Sequence, residues 1–176
     1  MNKKTKELVL ASILTALSVL ITYSPVKLDL QFFTLTIGAH VPTIIAMFIS
    51  PWVLAMTVLG SCLGFFMVIP APNNIIVVAR AATHIFFALA GYGLIKKGKP
   101  NIVLTILITA VIHAIFEGVS VYFLTPLVLV NSTAVGSAAF IALSGTFVHH
   151  ILDSVICIPI IKALKKAKII KFSYNI

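Results

Sequence analysis

The chain has 176 residues, of which 60% are apolar and only 10% charged, and its mean hydropathy is +1.15. A soluble domain carries roughly 25% charged residues, so this composition excludes a soluble enzyme and describes a chain folded in lipid. At about 20 residues per bilayer crossing, the length predicts a single all-α membrane domain over residues 1–176, six spans in one compact bundle with no room for a separate catalytic, nucleotide-binding or DNA-binding domain.

The first predicted span runs from Glu7 to Tyr23 behind the basic start Lys3, Lys4 and Lys6; no A-x-A site precedes Pro25, so the expectation is an uncleaved helix rather than a signal peptide. Ala11 with Thr15, and Ser12 with Ala16, form small-xxx-small pairs on it, the pattern that lets membrane helices approach closely, whether toward a partner or within one bundle. After Ser24-Pro25 the second span is expected over Gln31 to Ile49, with His40 two residues before Pro42. Ser50-Pro51 opens a third, to Ile69, whose Gly60 and Gly64 predict packing inside the bundle. The prolines and asparagines of residues 70–74 lead into a fourth, Ile75 to Ile95, holding Arg80 and His84. Beyond Gly98-Lys99-Pro100 a fifth, Asn101 to Leu124, holds His113 and Glu117; past Pro126 and Asn131-Ser132-Thr133 a sixth, Val135 to Leu164, holds His149, His150 and Asp153. Cys62 and Cys157 fall in apolar runs and read as buried thiols.

The net charge of +9 and pI near 9.8 would suggest nucleic acid for a soluble protein. Here eleven of the thirteen bases sit in three clusters, at residues 3–6, 96–99 and 162–171, each an even number of crossings from the others. By the positive-inside rule they share the cytoplasmic face of a cell membrane, which places both termini there, leaving Lys27 in the first outer loop and Arg80 within a span.

Ionisable side chains at membrane depth are costly and usually face a cavity or a partner. Arg80 with His84, His113 with Glu117, and His149 or His150 with Asp153 each stand on one helical face. At about 1.5 Å per residue, Arg80 and Glu117 fall at one level, roughly 10 Å below the outer ends, and His40, His84, His113 and His149 at the next, while Asp153 lies deeper. A polar site in the outer half of the bundle follows. Aromatic residues gather near it and its mouth: Tyr23, Phe32, Phe33, Phe65, Phe66, Phe86, Phe87, Phe116, Tyr122 and Phe123. Residue by residue, other readings stay open: a structural Arg80–Glu117 pair, hydrogen-bonded bundle histidines, an inner-end lock at Asp153, a proton relay, or imidazole and carboxylate ligands for a transported metal. There is no HExxH for metal-dependent proteolysis and no P-loop, and no catalytic residue is assigned.

With its basic N-terminus, six predicted spans and small-residue first helix, the whole chain resembles the S-components of energy-coupling factor (ECF) vitamin transporters. Gly38-Ala39-His40-Val41-Pro42 continuing through Ile45 to Pro51, Gly64-Phe65-Phe66, Arg80 to His84, His113 to Glu117 and His149 to Asp153 are similar, together and in order, to the niacin-type members. The resemblance implies a non-enzymatic binder of a small vitamin taken from outside, delivered by docking on a transmembrane coupling subunit whose two ATPases hydrolyse ATP; this chain would carry no cofactor. It implies docking through Ala11, Ser12, Thr15 and Ala16, where the family's AxxxA face is small but not strictly alanine. For nicotinate it implies Arg80 on the carboxylate, Glu117 balancing Arg80 in the empty site, His84 and His113 as hydrogen-bonding groups, His40 at the floor and Phe116 in the aromatic wall. Pantothenate, a pyridoxine-type ring or a thiamine precursor are alternative substrates, and a membrane enzyme or scaffold is the reading from another class. The cobalt and nickel members begin with histidine at the second position, where this chain has Asn2.

Overall fold

The computed structural model describes residues 2–24, 26–30, 33–97, 101–129 and 134–170. Among these described residues, five helices are long and apolar enough to cross a membrane: α1 (Lys3–Thr22), α3 (Pro51–Val68), α4 (Asn73–Lys96), α5 (Ile102–Val128) and α6 (Val135–Lys166). Their starts follow local chemistry. Asn2, Ser50 and Asn101 each accept a hydrogen bond from a first-turn N–H with the side chain, and Pro51 occupies a first-turn position where no donor is needed.

The expected second span is different. In place of a helix from Gln31 to Ile49 the chain forms an antiparallel hairpin, β1 (Lys27–Leu30) with β2 (Phe33–Thr36), and then a six-residue helix, α2 (Val41–Ala46). The cause lies in residues 33–42: Phe33-Thr34-Leu35-Thr36-Ile37 alternates β-branched, aromatic and bulky residues, a strand pattern. Gly38 then takes a φ of 85°, a left-handed conformation that ends any continuous helix, and a new one starts where Pro42 fits the first turn.

α1 and α3 run parallel. Glu7 accepts from Ser50 Oγ at 3.3 Å, and further along Gly60 lies against Thr15 and Gly64 against Thr22. Residues 23–50 therefore bring the chain back from one end of the bundle to the other, and the segment from Val41 to Phe48 is buried throughout as it does so. α4 is antiparallel to α3, with Cys62 beside the Val78 carbonyl; α5 reverses again, with Arg80 on Glu117 and Gly91 beside Thr109; α6 reverses once more, with His113 on His150. Lys6 Nζ donates to the Ile169 carbonyl at 2.8 Å, so the start of α1 and the chain leaving α6 meet at one end. Lys96 and Lys97 close α4 at that same end. Lys99, Lys171, the Gly98–Pro100 and Asn131–Thr133 connectors and Phe32 lie outside the described residues.

The returning segment is irregular backbone inside the bundle, and its polar groups need partners there. Asp153 of α6 supplies them: Oδ1 accepts from Gly38 N at 2.8 Å and Oδ2 from His40 N at 3.0 Å. At the far end, Leu35 of β2 packs with Ile76, Val121, Ala138 and Ala142 and so covers the gap between α4, α5 and α6.

The α1–α3 contact depends on missing side chains. A Cβ on Gly60 would stand 2.8 Å from the Thr15 carbonyl oxygen and 3.1 Å from its Cα, backbone that cannot turn aside. Gly60→Ala is expected to destabilise the protein by about 1–3 kcal/mol, read as a lower thermal midpoint in detergent, whereas Gly93→Ala, with nothing within 4 Å, leaves the midpoint unchanged or raises it.

Candidate functional site

Three helices contribute polar stripes to one point. On α4 Arg80 and His84 are a turn apart; on α5 Thr105, Thr109, His113 and Glu117 repeat every four residues; on α6 Thr146, His149, His150 and Asp153 follow the same face. All ten are buried, as is His40 at the head of α2. An ionised group so far from water persists when its partners are close and numerous.

Glu117 is the hub. Its Oε2 accepts from Arg80 Nε at 3.0 Å, from Arg80 Nη2 at 2.6 Å and from Thr146 Oγ1 at 2.6 Å. Its Oε1 faces His84 Nε2 at 3.1 Å and His113 Nε2 at 3.2 Å. One carboxylate thus joins α4, α5 and α6, with the guanidinium and hydroxyl on one oxygen and two imidazoles on the other. Asp153 is a second hub: besides the two backbone donors it faces His40 Nδ1 at 3.0 Å and His149 Nε2 at 3.1 Å. His149 Nε2 also lies 3.0 Å from the Thr36 carbonyl.

Between the hubs the imidazoles are packed edge to face. His40 lies 4.7 Å from His84, 4.5 Å from His113 and 4.6 Å from His149 between ring centroids, and Phe87, fully buried, stands 4.5 Å from His113. From His113 a chain runs inward through His150, Nδ1 to Nδ1 at 3.0 Å, to Thr109, 3.0 Å from His150 Nε2. The space enclosed by Thr36, Ala39, His40, Phe65, Val77, Arg80, Ala81, His84, Glu117 and His149 is about 20 Å³, room for about one water. Its walls come from the returning segment, α3, α4, α5 and α6.

The residues expected to form the site thus fall in three groups. Arg80, His84, His113, Glu117 and His40 are brought together. Phe116 is not: one residue before Glu117 on the helix, it turns away and stacks on Phe86 with centroids 4.1 Å apart; the aromatic side chain lining the space is Phe65, and Phe87 packs on His113. On α1 the small-residue pairs separate, since Ala11 is buried and Thr15 lies on Gly60 of α3, while Ser12 and Ala16 are exposed. Asp153, expected deeper than the histidine level, reaches the cluster through His40 and His149. Thr36, Thr109 and Thr146 were not anticipated; the last two were legible as continuations of the α5 and α6 polar stripes, Thr109 four residues before His113 and Thr146 seven before Asp153.

No protein-family model matches the chain, and no solved structure matches it. Among curated proteins, the niacin transporter NiaX of Lactococcus lactis subsp. cremoris (strain MG1363) is 33% identical over 174 residues, covering 93% of this chain and 77% of that protein. That relative is a transporter, which supports a non-enzymatic role for this chain. By that likeness along nearly its whole length, the chain belongs to the NiaX family of multi-pass membrane transporters.

Proposed function

We propose that this chain is the substrate-binding subunit of an ECF-type importer, capturing niacin as nicotinate and delivering it by docking on an ATP-driven coupling module. The observation that carries the reading is the coordination of Glu117. When Arg80 turns to an incoming carboxylate, Glu117 keeps Thr146, His84 and His113. The guanidinium can be transferred from the internal acid to the ligand without stranding a buried charge. With Nε2–H donated to Glu117, His84 Nδ1 is a buried acceptor without a hydrogen-bond partner, and Phe65 offers an apolar wall.

The cavity of about 20 Å³ is far below the roughly 300 Å³ of ordinary ligand pockets, so binding requires the site to open. The wall held by the fewest regular hydrogen bonds is Thr36 to His40, under the hairpin whose Leu35 closes the outer gap. We read the hairpin as the outer gate, residues 23–50 as a sixth crossing, and the end carrying the basic clusters as cytoplasmic. Ser12 and Ala16, the exposed small pair on α1, form the face for the coupling subunit. Hydrolysis of ATP belongs to the partner ATPases, and no cofactor or nucleic acid is assigned to this chain.

Isothermal titration in detergent tests the substrate. Nicotinate is expected to bind tightly and nicotinamide, lacking the carboxylate, more weakly. Arg80→Ala should weaken nicotinate by roughly 2–5 kcal/mol, at least thirtyfold in Kd; Arg80→Lys, which keeps the charge, distinguishes lost binding from lost folding. Unchanged affinity in a folded Arg80→Ala protein removes the assignment.

The docking face has a separate readout. Ser12→Leu with Ala16→Leu is expected to leave nicotinate affinity within a factor of two and to abolish uptake in cells that supply the coupling module; normal uptake would place docking elsewhere.

A further inference from the structure

The geometry points to a second ligand for the same centre: a divalent first-row metal ion of the zinc class, held by His40, His84, His113 and Glu117. This inference stands apart from the vitamin reading and rests on where the ring nitrogens and protons are.

The four residues are buried, and one ligand atom from each lies within 4.8 Å of the others. With metal–ligand bonds of about 2.0–2.1 Å, tetrahedral zinc separates its ligands by roughly 3.3 Å. The edges from Glu117 Oε1 to His84 Nε2 and His113 Nε2, 3.1 and 3.2 Å, are already near that spacing, and the others, within 4.8 Å, close to it when the imidazoles move in on the ion by up to about 1.5 Å. Three imidazoles and one carboxylate are a donor set that zinc and cobalt favour.

The surroundings of three of the four ligands favour metallation, while His84 Nδ1 has no hydrogen-bond partner to orient its ring. Glu117 reserves Oε2 for Arg80 and Thr146 and turns Oε1 to the two imidazoles, so it binds through one oxygen without losing its other partners. His40 donates from Nδ1 to Asp153, the carboxylate–histidine arrangement that fixes Nε2 as the ligand atom. His113 is the most informative. Thr109 has one hydroxyl proton to donate, and its Oγ1 lies 2.8 Å from the Thr105 carbonyl oxygen and 3.1 Å from that of Ile106. With that proton on either carbonyl, His150 Nε2–H donates to Thr109, His150 Nδ1 accepts from His113 Nδ1–H, and His113 Nε2 presents a lone pair to Glu117 Oε1. In this order a lone pair faces a carboxylate oxygen, and a cation between them would be held by both. With His113 Nε2 protonated instead, the same three protons sit in the opposite order along the chain, so metal binding reorders them and loses none.

The alternative triad, His40, His149 and Asp153, is less suited. Both Asp153 oxygens are engaged by backbone N–H groups, and His149 Nε2 already serves the Thr36 carbonyl. Occupancy of the favoured site would bind the returning segment to α4 and α5 through His40, and so hold closed the wall that ligand entry must displace.

The test uses the full chain, purified in detergent on a tag without histidine and stripped with chelator, then titrated with Co²⁺ and afterwards Zn²⁺. One Co²⁺ per chain with the visible absorption of tetrahedral cobalt, bleached by one equivalent of Zn²⁺, is expected. His84→Gln and His113→Gln should each weaken Co²⁺ at least a hundredfold, and Thr109→Val, which disrupts only the His150 chain, about 10–100-fold; His149→Gln should keep one tetrahedral Co²⁺. The native chain tests the idea even if one variant fails to fold, and helicity with a single elution peak identifies such a variant. No tetrahedral spectrum, indifference to both His84→Gln and His113→Gln, or loss on His149→Gln alone would overturn the site. Metal binding without nicotinate binding would instead remove the vitamin reading and leave this one standing.

Discussion

A carboxylate that is 3% exposed in the middle of an apolar bundle is the constraint around which the rest of this structure is arranged. Left alone, Glu117 would carry a desolvation cost of several kcal/mol. It is offset by a guanidinium from α4, a hydroxyl from α6 and imidazoles from α4 and α5. Each of those partners sits on a turn that must face inward at one height. That requirement fixes the rotation of three helices about their own axes, something apolar contacts among Leu, Ile and Val do weakly when lipid is as good a solvent as the interior.

The second buried acid does a different task. Asp153 has no Lys or Arg partner among the described residues; it takes His40 and His149 and satisfies the backbone of a stretch that has left helical geometry. Non-helical backbone within a membrane bundle persists where protein groups replace the missing ladder, and one carboxylate with two acceptor oxygens suits two neighbouring N–H groups. The two acids therefore divide the site between them: one organises the helices, the other the segment threaded among them, and the imidazoles of His40, His84, His113 and His149 fill the space between.

Much of this was readable in the amino-acid order. Five of the helices follow hydropathy and punctuation, and the four-residue spacing of Arg80 with His84 and of His113 with Glu117 placed those pairs on single faces at a shared level. The second span was misjudged because its mean hydropathy is that of a helix, while the decisive signals are local: strand-like alternation at residues 33–37, the left-handed Gly38 and Pro42. Phe116 was misjudged for a related reason. Neighbours in sequence point about 100° apart on a helix, so closeness to Glu117 along the chain put it outside the site. The threonines were overlooked because they carry no charge, although Thr109 and Thr146 continue the polar stripes of α5 and α6; Thr36 became visible only when β2 was placed against α6. Which small face of α1 is free could not be read from spacing, since Ala11–Thr15 and Ser12–Ala16 have the same pattern; Gly60 on α3 decides it.

On the proposed function, the irregular segment would also let a site so densely bonded exchange a ligand. A helix lining the cavity would have to move as a rigid rod, with its packing along the whole bundle broken at once. Thr36 to His40 needs a few dihedral changes, pivoting at Gly38, where the glycine backbone is least restricted, and the loss of hydrogen bonds that converge on one residue, Asp153, and on His149. Those donors and acceptors lie beside the space that would be entered, so water or ligand can take them over as they separate. On that reading the break between α1 and α3 makes one wall of the centre separable from the other four, and Glu117, which among the described residues shares no hydrogen bond with that wall, would keep α4, α5 and α6 in place as it opens.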